Sequence, residues 1–158
     1  MEIELVRTSS SVGESCLHLQ LTPAYRRDIF RNEEVKNLTK LYFMEKAKKM
    51  NICISAMEVG PDHFHAFITS WKKYSVEKLV NGLKGFTSYM MRKYHKHLFQ
   101  DKLWGKKFWS EGYFYRTVGI VTSEAVQFYI EHSQKKHWRA VDYEYYEHKQ
   151  QKILSAFN

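Results

Sequence analysis

The fold is decided by residues 51–69, which read Asn51-Ile-Cys-Ile-Ser-Ala-Met-Glu-Val-Gly-Pro-Asp-His-Phe-His-Ala-Phe-Ile-Thr69. Residues 51–59 predict a β-strand, Gly60-Pro61-Asp62 has the composition of a turn, and residues 63–69 continue as a second extended segment. Two strands separated by so short a turn predict a β-hairpin.

Two elements are predicted before this hairpin. Residues Cys16 to Thr22 alternate apolar and polar side chains, which is the period of a half-buried strand, and Pro23 ends it. From Glu33 to about Met50, apolar residues recur at helical spacing while lysines fill the other face. This segment therefore predicts the first helix.

Three elements are predicted after the hairpin. Ser75 can cap a long helix with one apolar stripe, and residues 108–118 are rich in β-forming residues and predict a fourth strand. Thr122 or Ser123 can cap a third helix, which carries Tyr129. The stripe of the long helix consists of Val76, Leu79, Val80, Leu83, Phe86, Met90 and Tyr94.

This order of strands and helices is the split βαβ pattern of ferredoxin-like domains. The predicted fold is therefore α+β, with an antiparallel sheet, helices on one face and a C-terminal helix after the fourth strand. The other face is then open to a ligand, and RNA-recognition modules of this topology use it to bind nucleic acid. Because no repeat or Gly/Ser linker divides the 158 residues, we expect one domain over residues 1–158.

The chain is basic and rich in aromatic residues. A net charge of +8 with a pI near 9.4 attracts polyanions, of which nucleic acid is the commonest in a cell. Aromatic residues make up 16% of the chain, and aromatics beside Lys and Arg suit single strands, whose unpaired bases stack on them. Most of them fill a core, but Tyr25, Trp104, Trp109 and Tyr113 are candidates for base contacts.

The same composition bears on where the protein acts. No apolar run approaches the ~18 residues of a membrane span, and Met1 to Ser10 lacks the basic and apolar start of a secretory signal. The two cysteines, Cys16 and Cys53, are too few for a disulfide framework or a structural zinc site. We therefore expect a cytoplasmic protein, associated with the nucleoid through DNA and not with a membrane, in which both thiols are buried.

His63 and His65 are the candidate metal ligands. They are two residues apart on a predicted strand, so their side chains share one face, while Phe64 points to the opposite face and into the core. Neutral imidazole is a common ligand of divalent metals, and Asp62 can orient one ring. By itself a His-x-His pattern is more often a pair of surface or hydrogen-bonded core histidines.

The histidine pair and its turn, Glu58-Val-Gly-Pro-Asp-His-Phe-His-Ala-Phe67, resemble the HUH motif of single-strand DNA nucleases. Other segments, in the same order along the chain, resemble the small single-tyrosine HUH transposases, the TnpA-like enzymes of insertion sequences that move as single strands. These segments are residues 17–27, 83–88, 102–109 with 112–114, and 126–131. The resemblance covers roughly residues 16–137 and leaves residues 138–158 as a C-terminal extension.

The resemblance implies a metal-dependent transposase, an endonuclease and strand transferase acting on single-stranded DNA at hairpin-marked element ends. In that family a tyrosine attacks the phosphate, forms a covalent 5′-phosphotyrosine and releases a 3′ hydroxyl. Among the 11 tyrosines, Tyr129 lies at this place, on the last predicted helix. The implied cofactor is Mg²⁺ or Mn²⁺, with His63 and His65 as ligands.

The third metal ligand departs from the family pattern. Relatives place a glutamine four residues after the tyrosine, where both side chains face the same way on a helix, but this position is Ser133. Gln134 lies five residues after Tyr129 and needs a π-bulge to face the site. We assign the third ligand to Gln134, with His132 as the alternative.

The resemblance also implies a homodimer in which the tyrosine helix of one subunit completes the histidine pair of the other. The expected DNA partner is a single strand with hairpin ends, bound by basic residues of the first turn, the long helix and the link after it. These residues are Arg26, Arg27, Lys84, Arg92, Lys106 and Lys107.

Other functions stay open at this point. A domesticated, repeat-associated HUH nuclease or a plasmid replication initiator would share the chemistry, although the single tyrosine and small size favour a transposase. A non-catalytic module could use the same sheet to bind single-stranded nucleic acid without metal. Such a module would bind DNA unchanged after Tyr129→Phe and would form no covalent adduct.

Overall fold

The computed structural model describes residues 6–7, 12–13 and 16–118. Within them, short 3₁₀ turns lie at Ala24–Arg26, Ile29–Arg31 and Lys96–Leu98. The strands and helices are β1 Val6–Arg7, β2 Val12–Gly13, β3 Cys16–Leu21, α1 Glu33–Lys49, β4 Cys53–Gly60, β5 His63–Thr69, α2 Val76–His95 and β6 Phe114–Val118.

The larger sheet has four antiparallel strands in the order β4-β5-β3-β6, and β1 pairs with β2 separately. The predicted hairpin is β4-β5, with Gly60 opposite His63 and a bulge between Ile54 and Ala56. The inner strands β3 and β5 are neighbours in the sheet although α1 and the outer strand β4 lie between them in the chain, as the split βαβ pattern requires. The α+β class and this antiparallel topology are confirmed.

The core lies between the sheet and the two helices. Alternate side chains of the inner strands are fully buried on the helix side, and the Phe64 ring packs 4.7 Å from the Phe43 ring of α1, centroid to centroid. Fully burying one large apolar side chain stabilises a fold by roughly 1.5–3 kcal/mol. The inner-strand residues of this core are Leu17, Leu19, Leu21, Phe64, Ala66 and Ile68.

Helix α2 buries a different stripe from the predicted one in its second half. Ser75 caps it as predicted, accepting a hydrogen bond from the Lys78 N–H. Four-residue spacing from Leu79 continues through Leu83 to Thr87 and Met91, all fully buried. Tyr94, assigned to the stripe for its apolar ring, is instead 53% exposed. Burying the Thr87 hydroxyl leaves no polar group unpaired, because the hydroxyl donates a hydrogen bond to the Leu83 carbonyl at 2.7 Å.

The fourth strand begins at Phe114 and not at Phe108 as predicted. Phe108 and Trp109 are buried core residues, and the backbone beside them is bound to the segment after β3 and not to a ladder. Ala24 N donates to Phe108 O, and Ser110 N donates to Thr22 O, both at 2.9 Å. The residues between α2 and β6 therefore form an ordered link, which we call the 96–113 link.

The prediction that both cysteines are buried is correct for one cysteine and wrong for the other. Cys16 is buried as predicted, but Cys53 is exposed because it begins β4, which lies at an edge of the sheet. The predicted third helix, the C-terminal extension and the extent of the single domain fall wholly or partly outside the described residues and stay predictions. Neither helix that the structure describes has the length and apolarity to cross a membrane.

Asn32 should stabilise α1 as its N-cap, because its side-chain oxygen accepts hydrogen bonds from Glu34 N at 2.9 Å and Val35 N at 3.3 Å. Asn32→Ala should lower the free energy of unfolding by about 1 kcal/mol, measured by urea denaturation. Asn37→Ala is the matched control, since Asn37 is exposed inside the same helix and alanine is a better helix former. An equal loss in both variants would contradict the capping role.

Candidate functional site

His63 and His65 project from the start of β5 on the sheet face opposite Phe64 and the core. Both imidazoles are buried, with ring centroids 5.1 Å apart and planes inclined by 77°. The register places His65 between Gln20 of β3 and Glu58 of β4. The shared face inferred from the sequence is thus an observed feature of the sheet.

Asp62 fixes the orientation of His63. Its Oδ1 lies 2.9 Å from His63 Nδ1, and its Oδ2 accepts from Arg26 Nη2 at 3.2 Å. With Nδ1–H donating to the carboxylate, the lone pair of His63 lies on Nε2. This Nε2 is buried and has no hydrogen-bond partner among the described residues.

Gly60 provides the space that the His63 ring occupies. The two residues are opposite each other in the hairpin register. A Cβ on residue 60 would lie 2.2 Å from His63 Cε1 and 2.3 Å from Nε2, well inside contact distance. The φ of Gly60 is not positive, so glycine is needed here for space and not for backbone freedom.

His18 orients His65, and sequence reasoning missed it. His18 Nε2 lies 2.9 Å from His65 Nδ1, and its fully buried ring stacks on Phe67 at 4.7 Å, centroid to centroid. A signal existed in the alternation of β3, which puts His18 on the face away from the core. Its use required the pairing of β3 with β5, because His18 and His65 are 47 residues apart.

Burial keeps His18 and His65 uncharged. Desolvation lowers the pKa of His18 to about 3. The pKa of His65 is also well below its usual range, because of burial first and then the neighbouring imidazoles of His18 and His63. Neutral imidazole is the form that binds metals, so His65 is already in the ligand form near neutral pH.

The donor set fits a divalent metal but is incomplete within the described residues. The Nε2 atoms of His63 and His65 are buried on one face, and each ring is held through its Nδ1, as in metal-binding histidines. Residues 6–7, 12–13 and 16–118 contain no group of three or more His, Cys, Asp or Glu side chains arranged for a metal. Tyr129, Gln134 and His132 lie outside these ranges.

Lys84 and Arg92, predicted to contact DNA, hold the 96–113 link against α2. Lys84 Nζ donates to the carbonyls of Ser110 and Glu111 at 2.6 and 2.9 Å. Arg92 donates to the Leu103 carbonyl at 2.7 Å and also to the Lys107 carbonyl. Burial lowers the pKa of both cations. A DNA contact by either residue stays a prediction.

The other four predicted DNA-binding residues are exposed. Arg26 and Arg27 follow β3, and Arg26 is joined to Asp62. Lys106 and Lys107 lie on the link, where Lys107 pairs with the exposed carboxylate of Glu111. Their DNA contacts are untested by this structure.

Of the four aromatic candidates for base contact, two are exposed, one is buried and one is partly buried. Tyr25 and Trp104 are 77% and 75% exposed. Trp109 is buried in the core beside Phe108, so the expectation that it contacts bases is wrong. Tyr113 is partly buried against the core, with its ring 6.1 Å from that of Tyr115, centroid to centroid.

Comparisons with known proteins agree with this geometry. The family model of IS200-like transposases matches residues 11–133. The chain is 26% identical over 136 residues to the ISDra2 transposase TnpA of Deinococcus radiodurans, covering 86% of this chain and 96% of that transposase. It is 30% identical over 115 residues to the transposase of insertion sequence element IS200 from Salmonella typhimurium, covering 73% and 74%. A crystal structure of a candidate transposase from Deinococcus radiodurans superposes with a TM-score of 0.64 and 26% identity, covering 83% of this chain and 99% of the other.

The buried His18 should make the chain less stable in acid. Its folded pKa of about 3 lies below the ordinary value of 6.5, so the unfolded chain binds a proton that the folded chain excludes between these pH values. This contribution is fully present above pH 6.5 and is lost as the pH falls toward 3. At about pH 5 the loss amounts to about 2 kcal/mol.

We expect His18→Gln, which keeps a hydrogen-bond acceptor but does not titrate, to flatten the pH profile. The free energy of unfolding is measured by urea denaturation in chelator at about pH 7 and about pH 5. His97→Gln, an exposed histidine outside the cluster, is the matched control and should keep the original profile. A His18→Gln profile as steep as the unchanged chain's would refute the assignment.

Proposed function

The chain belongs to the family of IS200-like transposases, and from this premise we propose that it cleaves and rejoins single-stranded DNA at hairpin-marked element ends through a covalent 5′-phosphotyrosine. The observation that supports this proposal best is the oriented histidine pair of β5. Each ring is held through Nδ1, and both Nε2 atoms lie buried on the same sheet face.

We assign His63 and His65 as ligands of a divalent metal, Mg²⁺ or Mn²⁺, with Gln134 as the third protein ligand and His132 as its alternative. When bound, the metal would polarise the scissile phosphate and stabilise the charge that develops on it. Asp62 and His18 then act through the rings. The Asp62 carboxylate only accepts, so it places the His63 proton on Nδ1, and His18 holds the orientation of the His65 ring.

Tyr129 is the proposed nucleophile. Its phenolic oxygen attacks the phosphorus, the bond from phosphorus to the 3′ oxygen breaks, and the proton lost by the phenol is balanced by the one gained by the departing 3′ hydroxyl. The DNA 5′ phosphate is then joined to the tyrosine. Attack by the 3′ hydroxyl of another strand reverses the step and joins the DNA without ATP.

The assembly we propose is a homodimer whose active sites are shared, with Tyr129 of one subunit serving the histidine pair of the other. Exposed basic residues, Arg26, Arg27, Lys106 and Lys107 among them, would bind the phosphates. The net charge of +8 supports this binding and makes it sensitive to salt. The alternative is a non-catalytic DNA-binding module, which would make no adduct.

Metal binding should depend on the space at Gly60. In Gly60→Ala the new Cβ must displace the His63 ring, so we expect Mn²⁺ affinity to fall about 10- to 100-fold, the usual range when the orientation of a ligand is lost. Titration followed by electron paramagnetic resonance of free Mn²⁺ gives the affinity.

His63→Ala or His65→Ala should abolish metal-dependent cleavage and leave most DNA binding intact.

Gly85→Ala is the matched control for Gly60→Ala. Gly85 lies on α2, and a Cβ on residue 85 would have no heavy atom of the described residues within 4 Å beyond its own helix backbone. We expect unchanged Mn²⁺ affinity and a slightly more stable helix. Unchanged affinity in Gly60→Ala as well, or full cleavage by the unmutated chain in chelator, would contradict the metal assignment.

Tyr129 should form a covalent adduct with single-stranded hairpin DNA. The unmutated chain should give one shifted band of labelled DNA on a denaturing gel, and Tyr129→Phe should give none. Tyr94→Phe, which changes an exposed tyrosine of α2, should keep the adduct. Binding without an adduct in the unmutated chain would favour the DNA-binding module.

Mixing inactive variants tests the shared site. Tyr129→Phe and His63→Ala/His65→Ala subunits should recover an adduct after exchange, because a hybrid dimer with shared sites holds one site with both lesions and one with none. If each chain completes its own site, every site keeps a lesion. No adduct, with subunit exchange shown independently, would exclude the shared arrangement.

A further inference from the structure

Two exposed aromatic rings line one small cavity beside the histidine site. Tyr25 and Trp104 are the two most exposed large hydrophobic side chains among the described residues, at 77% and 75%. Both line a cavity of about 190 Å³ together with three lysines. The lining residues besides the two aromatics are Lys102, Leu103, Gly105, Lys106 and Lys107.

On one side of the cavity, hydrogen bonds hold the backbone next to Trp104 in place. Leu103 N donates to Phe99 O at 2.8 Å, and Arg92 Nη1 donates to Leu103 O at 2.7 Å. Phe99 and Leu103 are buried in the core on either side of this turn. The backbone that carries the exposed indole is therefore ordered before any ligand binds, which reduces the entropy lost on binding.

On the other side of the cavity, the backbone at Tyr25 and Arg26 has unusual dihedral angles. Tyr25 and Arg26 have φ values of 57° and 52°, in the left-handed region that is unfavourable for residues with a side chain. Packing of the Tyr25 ring does not compensate this cost, because the ring is mostly exposed. Backbone strain of this kind is concentrated at functional positions.

Two residues, Arg26 and Asp62, connect the Tyr25 side of the cavity to the histidine pair. Arg26, next to Tyr25, binds Asp62 Oδ2 at 3.2 Å, and Asp62 Oδ1 lies 2.9 Å from His63 Nδ1. On the other side, Lys102 Nζ binds Asp28 at 2.9 Å and joins the link to the segment after β3. Tyr25 is therefore the chain neighbour of the residue that holds the Asp62 carboxylate beside His63.

We propose that Tyr25 and Trp104 form a subsite for one unpaired nucleobase of the DNA strand, next to the phosphate at the histidine pair. The proposal rests on the proposed function. Every base offers a flat π-face for stacking on aromatic rings. A cavity of about 190 Å³ is smaller than the ~300–1,000 Å³ of pockets that enclose a drug-sized molecule, so it suits a single ring system.

The lysines of the cavity suit the phosphates beside that base. Lys102 and Lys107 are paired with Asp28 and Glu111, but solvent reaches both pairs, so each contributes little to stability. A phosphate can therefore replace either carboxylate at small cost. Lys106, exposed at the tip of the link, adds to the positive field.

The test measures binding of a single-stranded oligonucleotide without cleavage, in the Tyr129→Phe background, with fluorescence anisotropy. A series of oligonucleotides carries one abasic position each. With both aromatic rings present, one abasic position near the cleavage site should weaken binding about 5- to 100-fold, the range for loss of one stacked base. Trp104→Ala or Tyr25→Ala should weaken binding of the intact strand and remove most of the sensitivity to that position.

Trp104→Phe should restore the sensitivity, because phenylalanine also stacks. Tyr89→Ala, which removes an exposed aromatic ring from α2, is the matched control and should behave as the parent chain. Equal effects of the abasic position with and without Trp104, or losses that are the same on duplex and single strands, would overturn the subsite.

The outcomes separate the subsite from the catalytic proposal. An adduct on hairpin DNA together with no dependence on Tyr25 and Trp104 would reject only the subsite. Position-specific stacking in a chain that forms no adduct would reject the catalytic function and keep the subsite. Every arm uses a labelled strand of one sequence, either intact, with one abasic position, or paired in a duplex.

Discussion

The pairing register of β5 is the constraint on which the rest of the structure depends. This strand is buried on both faces, with Phe64, Ala66 and Ile68 in the core and His63 and His65 on the other side. A shift of one residue would exchange the two sets, placing imidazoles in the apolar core. The hairpin to β4 and the ladder to β3 therefore fix the fold and the site together.

Burying polar groups is costly unless they are hydrogen-bonded or remain neutral, and two interactions in the site reduce this cost. His18 and His65 share a hydrogen bond in a setting that keeps both uncharged, while the Asp62 carboxylate is shared between Arg26 and His63. The first interaction joins β3 to β5, and the second joins the turn after β3 to the hairpin. The site is thus held by the same elements that hold the sheet.

Local signals in the sequence predicted local structure well. The hairpin, the Ser75 cap and the opposite directions of Phe64 and the two histidines follow from turn chemistry and the period of a strand. The features that were not predicted from the sequence depend on contacts between distant segments. His18 beside His65, the His63 ring over Gly60 and the burial of Thr87 all require the register of strands or the packing of a helix.

Between its buried core residues, the 96–113 link is held through its own carbonyl groups, to which Lys84 and Arg92 donate. A carbonyl accepts a hydrogen bond whatever side chain its residue carries. The outward side chains of the link can therefore be exchanged during evolution while its path stays the same. Anchors of this kind separate the shape of a surface from its chemistry, so that new target preferences can arise without a new scaffold.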